Sequence, residues 1–308
     1  MKKAMPRELK PGQRCQVWTF DTRTFISTLI FETDSLLLEA PNWTARGNAL
    51  ILNGAGVLWR IAVDDPALQP IEIKNVPPLN NDHVPDPDGE HIYLSAYEDW
   101  QLYRAPLGGG TAEMITGKEN PHGLMHFLHG VSPDGRQLAF TGLRIDTGAD
   151  HFKPLRAEIY TVGADGRNYR QLTKSGAPAD GPEYSPDGQW IYFNSEAFTG
   201  HAQIARMRTD GSEPERLTFG DNVDWFPHLS PDGRKAVYLA YPPGTAGHPA
   251  DLNVALMLVR DGQWQRAKCA VKMFGGQGTI NVNSWSPDSS SFAFVAYPMD
   301  GVDVDRQG

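Results

Sequence analysis

Ser185-Pro186-Asp187-Gly188-Gln189-Trp190-Ile191-Tyr192-Phe193 decides the fold, because the chain keeps rewriting it. Close copies are Ser132-Pro133-Asp134-Gly135-Arg136-Gln137-Leu138-Ala139-Phe140 and Ser230-Pro231-Asp232-Gly233-Arg234-Lys235-Ala236-Val237-Tyr238. Looser copies start at Asp86 and Ser286, and a worn one at Thr44. Pro presets φ for a tight turn, Asp bonds its own backbone and Gly supplies a positive φ. The polar–apolar alternation that follows has the period of a half-buried strand. Successive copies are 42, 46, 53, 45 and 56 residues apart, the spacing of propeller blades. Six copies predict an all-β, six-bladed propeller with four-stranded antiparallel blades.

The 308 residues form one domain on this reading, over about 16–297, with tails at 1–15 and 298–308. Blade one takes about 40–74, blade two about 80–116, blade three about 127–173, blade four about 181–218 and blade five about 225–268. Blade six has only about 281–297 at the C-terminal side, so two of its strands are missing there. Gln16–Phe20 and Ile26–Phe31 read as its third and outer strands, which makes the N-terminus the latch of the ring. In blade five, Trp264-Gln265-Arg266-Ala267 reads as the outer strand, and Gly142–Arg156 and Tyr241–Asn253 read as long loops.

A net charge of −9 argues against nucleic acid, which needs a concentrated basic face. No apolar run follows Lys2 and Lys3 and none is long enough to span a bilayer. The expected location is therefore the cytoplasm, or the periplasm if a leader preceded the chain. Cys15 and Cys269 are expected to be reduced and unpaired.

The Ser-Pro-Asp-Gly phrases, the Tyr- or Phe-ended strands after them and the Leu-Thr finishes (Leu172-Thr173, Leu217-Thr218) resemble the repeats of the TolB propeller family across about 16–297. That resemblance implies a binding ring. TolB proteins pair it with a secretion signal and a separate N-terminal domain, and work in the periplasm with lipoprotein partners. Neither feature is seen here, so a stand-alone propeller is expected. Related propellers cap serine hydrolases, but no Gly-x-Ser-x-Gly elbow occurs.

Propeller geometry assigns the candidate site. Reading the innermost strands just ahead of each turn gives Asn42, His83, His129, Glu183, His228 and Asn283 as channel residues. His83, His129, Glu183 and His228 carry donors that could bind a divalent metal such as manganese, zinc or calcium, and a histidine beside a carboxylate could also serve as general acid or base. The plainer alternative is a polar, hydrated channel that requires no cofactor. His122, His126, His151, His201 and His248 favour the same rim, where Trp100, Trp225 and Phe226 offer flat rings. Trp43, Tyr184 and Trp285 read as wedges between blades.

With a complete ring and no complete catalytic motif, the first expectation is a non-catalytic module presenting its channel mouth to a peptide, a protein or a small carbohydrate ligand. The alternative is a metal- or acid/base-dependent enzyme in the channel, such as a lyase or hydrolase on acidic oligosaccharides. Its analogy is with oligogalacturonate lyases, propellers that use channel histidines around a metal.

Overall fold

The computed structural model describes residues 6–117, 120, 123–146 and 153–299. Six antiparallel sheets follow one another around a ring, five of them four-stranded and running from an innermost to an outermost strand, the sixth three-stranded. The turn phrase works as its chemistry requires. Ser132, Ser185, Ser230 and Ser286 each donate a hydroxyl to the Asp two residues on, at 2.5–2.6 Å. The same hydroxyl oxygens accept the backbone N–H five residues on, at 2.9–3.0 Å, and so start the second strand. Gly135, Gly188 and Gly233 hold φ near 70°. In the Asp288-Ser289 copy, Ser289 takes φ 60° without the glycine.

Blade two shows the standard order, with Leu79–Pro85 innermost, then His91–Ala96, Leu102–Pro106 and the two-residue Glu113–Met114. Apolar side chains from facing sheets fill the gaps between blades, as Leu94, Ile51 and Tyr103 do between blades one and two. Gly166 marks one close approach: its φ is 80°, and a Cβ there would stand 1.9 Å from the Ile115 carbonyl oxygen of the neighbouring blade. Gly166→Ala is expected to cost about 1–3 kcal/mol from backbone strain, with the added clash on top, and to lower the urea midpoint accordingly. An unchanged midpoint would show that the blade contact is soft.

Blade six is closed by the N-terminus. Cys15–Asp21 lies between Ser291–Ala296 and Ile26–Thr33, with Val17 opposite Val295 and Trp18 opposite Phe294. Phe20 stacks on Phe292 at 5.1 Å. Cys15 is buried, Cys269 exposed, and neither forms a disulfide. No helix among the described residues is long and apolar enough to cross a membrane.

Three local readings are corrected. Within 142–156 the described residues are strand, because Gln137–Asp146 pairs with Lys153–Gly163 well past the expected blade edge; the rest of that expected loop, 147–152, lies outside the described residues. Likewise Tyr241–Asn253 shrinks to a connection over 242–249 between Lys235–Tyr241 and Ala250–Arg260. Trp264–Arg266 is a 3-10 turn and the outer strand of blade five is Lys268–Gly276. There tertiary packing overrides pattern: Trp264 is buried against Tyr192 and Tyr238, with ring centroids 5.7 and 6.1 Å away. Blade six also lacks a regular innermost strand, since residues 279–284 run irregularly beside Ser291–Ala296, all buried except the half-buried Asn283.

Candidate functional site

The innermost strands do not alternate simply. Each of those in blades one to five carries a bulge, with register breaks between Glu39 and Asn42, Leu79 and His83, Leu128 and Gly130, Asp180 and Glu183, and Trp225 and His228. In three of them a left-handed residue, Ala40, Gly181 or Phe226, precedes a proline. An extra residue re-aims the side chains on either side of it. Each such strand therefore offers a polar or aromatic group above the bulge as well as below it.

Below the bulges the channel is a closed network. Glu183 Oε2 meets His228 Nδ1 at 2.5 Å, and His228 Nε2 meets the Ile280 carbonyl at 2.5 Å. Asn283 donates to Glu183 Oε1, and Asn42 donates to the Asn283 carbonyl, both at 2.8 Å. Thr279, Ile280, Asn281 and Val282 are at most 1% exposed, and the Ile280 and Asn281 carbonyls are met by His228 of blade five and His129 of blade three, so this segment is tied across the ring. The channel is thus a pit with a floor rather than an open bore. Trp285 is part of that floor, its indole N–H donating to the His228 carbonyl.

Above the bulges lies a cavity of about 220 Å³ lined by residues from blades two to six, among them Asp82, His129, Asp180, His248, Gln277 and Asn281. His129 crosses the ring to the Asn281 carbonyl through Nδ1 at 3.0 Å and holds Asp180 Oδ1 with Nε2 at 3.3 Å. Thr141 Oγ1 and the Gly181 N–H also donate to Asp180 Oδ1, at 2.6 and 2.7 Å. Burial opposes charge on His129, but Asp82 and Asp180 outweigh it and raise the imidazole to about 9. Burial also works against the Asp180 carboxylate, yet its bonds to His129 and Thr141 bring it down to about 2. Asp82 lacks such bonds, and burial pushes it up to about 7.

His248 Nδ1 bonds Gln277 Oε1 at 2.5 Å, and its Nε2 stands 3.8 Å from Asp180 Oδ2. Burial lowers its pKa. Asn80 uses its carbonyl oxygen on the Asp82 N–H, while its Nδ2 is buried with no partner among the described residues. Beside the cavity Arg7 bonds Glu39 at 2.8 Å and reaches the Gln277 carbonyl.

The expected residues therefore divide. Asn42, Glu183, His228 and Asn283 sit together in the floor, and His129 and His248 line the cavity. His83 belongs to neither group: it is 1% exposed and faces the carbonyls of Ile51, Asn81 and Ala40 without an aligned hydrogen bond. Burial lowers it to about 4. Trp225 is 5% exposed and backs His248 at 4.4 Å instead of opening onto the rim. His201 stays outside the cavity, 3.3 Å from the Gly220 carbonyl. His126 is buried between the Trp100 carbonyl and the Tyr169 hydroxyl, while His122 and His151 lie outside the described residues.

The donor set His83, His129, Glu183 and His228 divides: His228 bonds Glu183 and the Ile280 carbonyl, His129 faces the Asn281 carbonyl and Asp180, and His83 stands apart from both. No group of three or more His, Cys, Asp or Glu among the described residues is placed to hold a metal ion. Sequence reasoning missed Asp82, Asp180, Gln277 and Asn281. The recurring acidic-x-Pro spacing in Glu39-Ala40-Pro41 and Asp180-Gly181-Pro182 is the signal that could have found Asp180.

Comparison with known proteins agrees with the ring. The TolB beta propeller domain family matches residues 130–266. An uncharacterised protein of Agrobacterium fabrum, Atu1656, is 37% identical over 293 residues, covering 93% of this chain and 94% of its own. A solved structure from Agrobacterium tumefaciens, assigned provisionally to TolB, superposes with a TM-score of 0.82 at 37% identity, covering 93% of this chain and 99% of that one. An oligogalacturonate lyase in complex with manganese has a TM-score of 0.55 at 14% identity, covering 89% of this chain and 75% of the lyase. That likeness is one of fold alone.

Proposed function

This chain belongs to the TolB-like six-bladed β-propeller family, and we propose that it is a non-catalytic binding module whose channel mouth takes up part of a peptide or a small polar ligand. One observation carries the reading: a floored pit holds preset polar groups, and among the described residues the Asn80 amide N–H is without a partner and the Asp82 carboxylate accepts no side-chain hydrogen bond. Groups fixed this way need no reorganisation on binding. The cavity, about 220 Å³, is smaller than the roughly 300–1,000 Å³ usual for drug-sized ligands. It suits one side chain or chain end, with the rest of the partner lying on the rim. Leu143 and Ala157 from the blade-three hairpin line the pit, so that hairpin belongs to the docking face.

The test is a peptide array probed with the full chain, followed by calorimetric titration of the best binder. Asp82→Asn is expected to weaken that binder at least tenfold, as loss of a buried charged partner does. Unchanged affinity would place the binder elsewhere and remove the reading.

The acid/base alternative rests on His129 standing between two carboxylates, an arrangement in which a proton could be exchanged with a bound ligand. A lyase on uronate polymers would yield an unsaturated product, visible by ultraviolet absorbance. No such product is expected; turnover lost in His129→Gln would replace the binding reading with the enzymatic one. The manganese of the lyase is not carried over, because among the described residues the donors do not gather into a site.

A further inference from the structure

Between neighbouring blades, away from the channel, the ring has grooves that the repeat builds in the same way. One, about 370 Å³, lies between blades two and three, and another, about 550 Å³, between blades four and five. Their frames correspond: Tyr93 pairs with Arg104 and Arg104 with Glu113, just as Tyr192 pairs with Arg206 and Arg206 with Glu215. The charges do not correspond. The first groove is lined by two arginines and two carboxylates, and Arg104 is further held by Asp86 and Asp88 at 2.8 and 2.6 Å. The second is lined by three arginines against Glu215 alone.

In that second groove Glu215 is spent on Arg206, at 2.7 Å. Where the first groove has Met114, the second has Arg216, and Arg266 stands on the opposite wall. Neither Arg216 nor Arg266 is ion-paired among the described residues. The hydrogen bonds of Arg216 go to neutral oxygens, those of Thr218 and Gln203, and the carboxylate that feels its charge is Asp224, which burial pushes up to about 7. Phe219 is 57% exposed beneath the Arg216 guanidinium, 4.6 Å from it. A net positive, partly aromatic groove on a chain of net charge −9 is not a general surface property, and the internal copy shows that the fold does not require it.

We propose that the groove between blades four and five is a second binding site, for an acidic peptide segment in which carboxylates flank an apolar residue. Arg216 and Arg266 offer planar forks to two carboxylates. Phe219 and Leu217 receive the apolar residue between them. The outer edge of Glu215–Arg216 has no neighbouring strand among the described residues, so an extended peptide can add its backbone there. Nucleic acid fits less well, since the chain as a whole carries a net charge of −9.

The experiment is fluorescence anisotropy of a fluorescein-labelled heptapeptide alternating Glu and Leu, titrated with the full chain at low salt. Saturable binding is expected, weakened at least tenfold by Arg216→Gln/Arg266→Gln and unchanged by Arg167→Gln in the blade two–three groove. Arg266 is exposed, so Arg266→Gln alone keeps the fold if the double variant does not, and is expected to weaken binding about threefold, the effect of a rim charge. Absence of binding, equal binding of the matching Lys–Leu peptide, preference for a single-stranded oligonucleotide, or indifference to Arg266→Gln would each overturn the proposal.

Discussion

Removal of residues 1–35 is expected to abolish soluble, cooperatively folded protein. The deletion takes away two strands of blade six and leaves Ser291–Ala296 as an unpaired edge, an invitation to intermolecular pairing. It also removes Val17, Trp18 and Phe20, each at most 4% exposed in the folded ring. At about 1.5–3 kcal/mol for each buried side chain, these three alone amount to about 5–9 kcal/mol. That is comparable with the whole stability of a typical domain, roughly 5–15 kcal/mol. The soluble fraction after expression and the sharpness of urea unfolding report the outcome. A soluble truncation with one sharp transition would show that the ring does not depend on its latch.

The second large effect is expected at His129. Replacing it by alanine leaves Asp180 and Asp82 facing one another without the cation between them, and breaking a buried pair in this way costs about 3–5 kcal/mol. The effect depends on pH with a definite sign. His129 in the folded ring sits near 9 against an ordinary 6.5, so its contribution is complete below about pH 6.5 and is lost as pH rises to 9. Asp180, held near 2, contributes above its ordinary 3.8 and loses its share as pH falls toward 2. Asp82 acts the other way: raised to about 7, it favours its neutral form and lowers stability as pH climbs from 3.8 to 7. Between pH 7 and 9 His129 is the one of the three still titrating. Wild-type stability should therefore decline over that window, and His129→Ala should flatten the decline. A decline of equal slope in the variant would place the titrating group elsewhere.

The ring was legible because its information is local. Ser185-Pro186-Asp187-Gly188 specifies a turn through bonds that span five residues, whatever the rest of the chain does. The latch followed from counting strands. The site was harder to read, because its positions were counted back from the turn on a two-residue period that the bulges interrupt. Asn42, Glu183 and His228 lie on the turn side of the break and were found; Asp180, on the far side, was not. Gln277 and Asn281 belong to the irregular buried segment of blade six, where no period exists to read. Trp264 shows the same limit: its pattern suits a strand, but two aromatic rings from the blade interior hold it in a 3-10 turn.

Val17 and its partner Val295 are separated by about 280 residues of chain. At about 5–20 residues per second, a ribosome needs roughly 14–56 seconds to make that interval. For all of that time Trp18 lacks Phe294, Phe20 lacks Phe292 and Cys15–Asp21 has one pairing edge bare. The closing register of the ring is therefore also a clock on its biosynthesis: whatever shields the first two strands must hold them for tens of seconds and then release them to a strand made late.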